Sequence, residues 1–251
     1  MKLEKYHGLG NDFLITLDKS LIDNPNLIKQ LCDRYSGIGS DGLIVVRTNP
    51  LEMIFYNQDG TRGEMCGNGI RCFSMFCYNN KLINSDEFDV LTLDGIKHIT
   101  IENKNPFTFK VMMGNIIDKI NSCFIEFNNV THEVFYFNFG VPHAVVFTDD
   151  FDNESLGKYL SNHSIFPNKT NVNFVKVINE KTIMIKTYER GVGFTKACGT
   201  GSCSSFITCY KQNKVKNNII VKQELGELNI YLENNLIYMI GPACKVADII
   251  I

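Results

Sequence analysis

Apolar residues along this 251-residue chain come mostly in short runs. Residues 13–18 (FLITLD), 43–48 (LIVVRT), 53–57 (MIFYN), 109–114 (FKVMMG), 144–149 (AVVFTD), 182–188 (TIMIKTY) and 230–241 (IYLENNLIYMIG) are rich in β-branched and aromatic side chains. Turn-forming residues bound them, so each run is predicted to be a strand. Residues 26–35 (NLIKQLCDRY) and 154–163 (ESLGKYLSNH) instead place apolar residues at helical spacing and are expected to be short amphipathic helices. Two further helices are expected at 70–80 (IRCFSMFCYNN) and 202–213 (SCSSFITCYKQN), each led into by a Gly-x-Gly turn. Their small Cys and Ser residues suit helices set deep against a surrounding sheet.

The pattern is written twice. Residues 56–69 (YNQDGTRGEMCGNG) match 188–201 (YERGVGFTKACGTG), and Tyr56 precedes Cys66 by the ten positions that separate Tyr188 from Cys198. Earlier echoes follow in the same order: 8–16 (GLGNDFLIT) with 138–148 (NFGVPHAVVFT), and 41–46 (DGLIVV) with 172–177 (VNFVKV). The expected organisation is two homologous halves. Residues 1–118 carry Cys66, with 242–251 returning to them, and residues 119–241 carry Cys198. Each half reads as mixed α/β.

Composition narrows the function. A formal charge of −2 and a pI near 6.2 argue against a nucleic-acid or anionic-membrane partner. No apolar run approaches the roughly 20 residues of a membrane span. Gly, Asn and Asp interrupt the N-terminus before any signal-length apolar stretch, so a cytoplasmic location is expected. Nine cysteines, an odd number without a signal peptide, do not suggest a disulfide framework. Their spacings, such as Cys66-x5-Cys72 and Cys198-x4-Cys203, are not paired C-x2-C knuckles, so no structural zinc is expected. Most should pack as small apolar residues.

Cys66 and Cys198 stand apart because each precedes Gly-x-Gly at an expected helix start. Unpaired N–H groups and the positive helix end favour a thiolate there, and bare glycine backbone admits a carboxylate closely. An ordinary thiol is only ~10% ionised near pH 7.5; lowering its pKa by one unit, worth about 1.4 kcal/mol, brings this near half. Two such units facing one cleft fit removal of an amino acid's α-proton on one side and its return on the other. A non-catalytic amino-acid-binding protein is the rival reading. A thiol redox protein fits less well, because neither cysteine lies in C-x-x-C.

The motifs HGLGNDF (7–13), LCDRYSGIGSDGL (31–43), FYNQDG (55–60), MCGNGIRC (65–72), NVNFV (171–175), YERGVG (188–193), ACGTGSC (197–203) and GPACKV (241–246) resemble those of the diaminopimelate epimerases. The resemblance implies an α/β fold of the mixed α+β kind. In it, two pseudo-symmetric domains each wrap a curved, mostly antiparallel sheet around a central helix. It implies a homodimer needing neither metal nor pyridoxal phosphate nor any other cofactor, acting on a small amino acid. Cys66 and Cys198 would be the two bases, tuned by His143 and Glu189. Gly67, Asn68, Gly199 and Thr200 would hold the reacting carboxylate, with Asn11 lining that end. Asn57, Asn171 and Arg190 would read the distal amino-acid group, where Glu189 would meet an amine. Plainer roles stay open: Asn11, Asn57 and Asn171 as turn residues, Glu189–Arg190 as a solvated pair, His143 as structural. One departure matters. Where the family usually has Gly-Asn-Pro-His this chain has Gly140-Val141-Pro142-His143, so Val141, the repeat counterpart of Asn11, lacks a hydrogen-bonding side chain. Either another group replaces that contact, or the pocket serves another amino acid, as in cofactor-independent racemases such as those for histidine. Gly42 also stands where some members carry glutamine.

Overall fold

The computed structural model describes residues 1–251, which fold into two compact units: residues 1–112 with 240–251, and residues 113–239. The first unit begins with β1 (Lys2–Gly8), β2 (Asn11–Thr16), α1 (Pro25–Cys32), β3 (Gly42–Thr48), β4 (Leu51–Asn57) and α2 (Gly67–Asn79). It continues with β5 (Glu87–Thr92), β6 (Gly95–Lys104) and β7 (Phe107–Asn115), the strand in which the chain passes to the second unit. There follow β8 (Asn121–Phe127), β9 (Val130–Phe139), β10 (Val141–Phe147), α3 (Glu154–Ser161), β11 (Asn171–Asn179), β12 (Thr182–Glu189), β13 (Gly193–Thr195) and α4 (Gly199–Lys211). The chain ends with β14 (Asn218–Gln223), β15 (Gly226–Glu233), β16 (Leu236–Pro242) and β17 (Cys244–Ile250). The fold is mixed α+β, as the sequence predicts.

The two units use one plan. In the first, β2 and β3 run parallel and β3 and β4 antiparallel; in the second, β10 and β11 run parallel and β11 and β12 antiparallel. Each parallel crossover carries a short helix. Asn24 and Asn153 cap α1 and α3 by accepting from the N–H groups of Leu27 and Leu156, and Pro25 opens α1 with its φ already set. Strand side chains alternate between faces. Leu14, Leu43, Val45, Ile54 and Tyr56 pack with Leu21, Ile28 and Leu31 on the α1 side. Ala144, Val146, Val172, Phe174 and Tyr188 pack with Leu156, Leu160 and Phe166 on the α3 side.

The opposite faces enclose the longer helices. α2 packs against β1 to β4 and β17, and α4 against β9 to β12, β14 and β15. Both helices are buried almost all round, which explains their lack of a polar stripe. Four of the hydroxyls this buries are turned onto the helices' own carbonyls: Ser74 to Ile70, Ser202 to Cys198, Ser205 to Gly201 and Thr208 to Ser204; that of Ser204 has no partner.

Two expectations shift in detail. Residues 230–241 form two strands, because Asn234 and Asn235 both take positive φ (50° and 64°) and reverse the chain, with Tyr231 and Tyr238 stacked. The buried helices begin at Gly67 and Gly199, so the Gly-x-Gly segments are first helical turns and not preceding loops.

Candidate active site

In the first unit Cys66 is the N-cap of α2, in extended conformation (φ −129°, ψ 123°), and its Sγ accepts the Gly69 N–H at 3.4 Å. Sulfur thus takes the place usually held by a Ser, Thr, Asn or Asp oxygen, at the positive end of a helix. Asn11, at the start of β2, stands beside it. Its Nδ2 donates to Asp41 Oδ2 (2.6 Å), and because a carboxylate only accepts, the amide orientation is fixed. Oδ1 therefore faces Asn68 Nδ2 (3.0 Å) and the Cys66 thiol (3.7 Å). Asp41 is steadied by Arg34 (2.6 Å), which also reaches Asp12 (2.7 Å). Burial alone would raise the Asp12 carboxyl, but Arg34 and Lys5 overcome it and hold it below the ordinary carboxylate range.

Gly67 and Asn68 open α2 and both are buried. The side chain of Asn68 points inward, accepting from Arg71 Nη2 at 2.9 Å. Arg71 is fully buried, donating to Gly67 O (2.9 Å) and Pro242 O (3.1 Å). Asn57 ends β4, exposed, with its Nδ2 on Thr61 Oγ1 (3.0 Å). A Cβ on Gly42 would come within 2.5 Å of Tyr56 O and 2.8 Å of Phe55 Cε2, so glutamine has no room there without a shift.

In the second unit Cys198 caps α4 in the same way (φ −131°, ψ 112°), its Sγ accepting the Gly201 N–H at 3.3 Å and lying 3.6 Å from Thr200 Oγ1. Its own N–H donates to Gln223 Oε1 (2.9 Å). Gly199 and Thr200 are the first two helical residues. Asn171 opens β11, buried, and accepts the Arg190 N–H at 3.0 Å, while the Arg190 guanidinium reaches Asn168 O (3.0 Å). Glu189, closing β12, accepts from Thr195 Oγ1 (2.7 Å). Val141 opens β10 opposite Phe139. His143 is fully buried; desolvation first, and then the nearby Arg190 charge, push its imidazole down to about 3. A cavity of about 270 Å³ borders His143, Pro142, Phe166 and Asn168, but not Cys198.

Of the other cysteines, Cys32, Cys72, Cys77, Cys203 and Cys209 are buried packing residues, Cys123 is half-buried and Cys244 is exposed. Burial pushes the thiols of Cys32, Cys72 and Cys77 up, and that of Cys209 up to about 12. No group of three or more His, Cys, Asp or Glu side chains converges as metal ligands would. Sequence reasoning did not single out Arg71, Asp41 or Arg34, which hold Asn68 and Asn11 in place; an arginine inside MCGNGIRC was the available signal for the first. It also missed Asn173, which meets His143, and Thr187, which meets Asn173, because both contacts depend on strand pairing.

Comparison with known proteins identifies the family and the fold. The diaminopimelate epimerase family description matches residues 3–117 and 135–246. A diaminopimelate epimerase of Clostridium perfringens is 38% identical over 267 residues, covering 99% of this chain and 98% of its own. One of Methanococcus maripaludis is 37% identical, covering 99% and 98%. Among solved structures, a probable proline racemase from Agrobacterium radiobacter superposes with a TM-score of 0.76 at 13% identity, covering 100% of this chain and 92% of its own. A Bacillus anthracis protein of the PhzF family does so with a TM-score of 0.73 at 15% identity, covering 99% and 98%. These remote likenesses establish the shared fold, and the closer relatives establish the family. With its family motifs on two equivalent capped helices, the chain belongs to the diaminopimelate epimerase family and is an isomerase of amino acids.

Proposed function

We propose that the protein interconverts LL- and meso-diaminopimelate by a two-base mechanism, with Cys66 and Cys198 acting on one α-carbon. The observation that carries this reading is the duplicated cap: each sulfur accepts a helical N–H from the third residue of a buried helix that opens with glycine. In the mechanism one cysteine, as thiolate, takes the α-proton, and the electron pair left on carbon is stabilised through the carboxylate by N–H groups of the two helix starts. The opposite cysteine, as thiol, returns a proton to the other face and becomes the thiolate. Fixed dipoles in a closed, dry site supply the electrostatic part of this stabilisation. Asn11, Gly67, Asn68, Gly199 and Thr200 belong to the reacting end in this reading, Asn57, Asn171, Glu189 and Arg190 to the distal end.

Val141 favours a second reading. An apolar residue at a position facing a polar ligand removes a contact on which discrimination depends, and a pocket so changed would suit another amino acid, histidine among the candidates. Incubating LL-diaminopimelate and a panel including histidine with the protein in deuterated water, and following α-deuterium, separates these possibilities. Exchange and isomerisation with diaminopimelate are expected. Exchange confined to another amino acid would select the second reading, and binding without exchange would leave a non-catalytic binder.

A further inference from the structure

Under the first turn of α4 the sheet is polar. His143, Asn173 and Thr187 lie on β10, β11 and β12, with Asn173 directly opposite Thr187 and His143 opposite Asn171. All three are essentially inaccessible (0, 0 and 2% exposed). Gly201 is pressed onto the last two: a Cβ there would fall 2.4 Å from Asn173 Oδ1, 2.9 Å from Thr187 Oγ1 and 3.1 Å from Cys198 Sγ.

The first unit shows that the fold does not require this polarity. The same register places Phe13 opposite Gly42 and Ile44 opposite Phe55. Phe13, Ile44 and Phe55 thus occupy the positions of His143, Asn173 and Thr187. Gly69, the counterpart of Gly201, meets Ile44 Cδ1, Met53 Cε and Cys66 Cβ. One capped helix therefore rests on hydrocarbon and the other on an imidazole, an amide and a hydroxyl.

The proton positions follow by exclusion. Ala144 O, 3.0 Å from the Asn173 amide, only accepts, so the atom facing it is Nδ2. Oδ1 then faces Thr187 Oγ1, which donates to it at 3.0 Å. The same Nδ2 lies 3.1 Å from His143 Nδ1, so that ring nitrogen must accept. A neutral imidazole accepting at Nδ1 carries its proton on Nε2, and Nε2 is buried with no partner. An unmet buried donor is costly wherever it occurs, and a ligand oxygen would satisfy it.

We propose that Asn173 and Thr187 are positioning residues of the Cys198 half-site: they lock His143 as the Nε2–H tautomer, so that it serves the bound amino acid's carboxylate as a fixed, uncharged hydrogen-bond donor and not as a proton-accepting base. No proton leaves His143 in this role. The inference rests on reading the second unit as half of an epimerase site.

The test is nitrogen NMR on the full-length protein labelled with ¹⁵N-histidine, the His143 signal being assigned by its loss in His143→Phe. The wild type should show a protonated Nε2 and a bare Nδ1. Asn173→Asp places an acceptor beside Nδ1 and should move the proton there, with kcat for α-proton exchange falling on the order of 100- to 1000-fold. Thr187→Val should loosen the lock in the same direction and Thr187→Ser should restore it; this pair carries the test alone if Asn173→Asp does not fold. A wild-type ring protonated at Nδ1, or on both nitrogens, would overturn the proposal, as would unchanged exchange kinetics once the proton has moved. A correct tautomer in a protein that exchanges no amino acid would instead overturn the epimerase reading and leave the lock standing.

Discussion

At the scale of single residues the two sulfurs carry the chemistry. If each serves as a base, Cys66→Ala or Cys198→Ala should lower isomerisation by about 10²- to 10⁴-fold, the usual contribution of a positioned acid or base. Turnover of LL-diaminopimelate near the wild-type rate by either variant would remove the two-base scheme. Val141 offers a sharper comparison. Adding one neutral hydrogen bond is worth about 0.5–1.5 kcal/mol, so Val141→Asn should raise kcat/KM for diaminopimelate roughly 2- to 10-fold. A fall there, with a gain for no other substrate, would mean that the valine contact is itself part of the pocket. Most residues proposed for the site could be named from the sequence because they sit inside short contiguous motifs. Asn173 and Thr187 could not, since Asn173 reaches His143 and Thr187 reaches Asn173 only through pairing of β10 with β11 and β11 with β12.

Among the elements, α2 and α4 decide most. Their small residues announced deep burial, but not that the helices start at the glycine itself, because cysteine is not an ordinary capping residue. Capping and catalysis can be separated. Replacing a capping side chain with alanine costs about 1 kcal/mol, whereas serine keeps a cap acceptor. Cys198→Ser should therefore unfold in urea within a few tenths of a kcal/mol of wild type while losing isomerisation, and Cys198→Ala should lose both. Equal stability of the two variants would show that the sulfur is not a structural cap. The strands were legible where both faces are apolar, as in β2 and β3. They were less so in β5, β6 and β8, where one face is solvated and charged residues dilute the apolar signal.

For the whole molecule, the buried neutral His143 makes stability depend on pH. In the unfolded chain this imidazole takes up a proton near its ordinary value of 6.5, whereas in the folded protein it resists until about 3. The unfolded state thus binds more protons between these values, and stability falls as pH drops from 6.5 towards 3. At pH 5 the loss from this one residue should be about 2 kcal/mol. Asp12 and Glu4, both held below the ordinary carboxylate range, add losses at lower pH. Urea midpoints at pH 8, 6 and 5 should fall steadily for the wild type and less steeply for His143→Phe. Identical slopes would contradict the burial of a neutral ring. The internal repeat made the two-fold plan readable, yet its asymmetry, hydrocarbon beneath one cysteine helix and a polar lock beneath the other, emerges only when the registers are laid side by side.

The first unit is assembled from both ends of the chain: β17 pairs with β1, and the carbonyl of Pro242 receives the buried guanidinium of Arg71. The second unit is a single stretch, residues 113–239. During synthesis on a ribosome, therefore, the portion made first must wait, its edge strand unpaired and an arginine short of an acceptor, until the portion made second has left the exit tunnel.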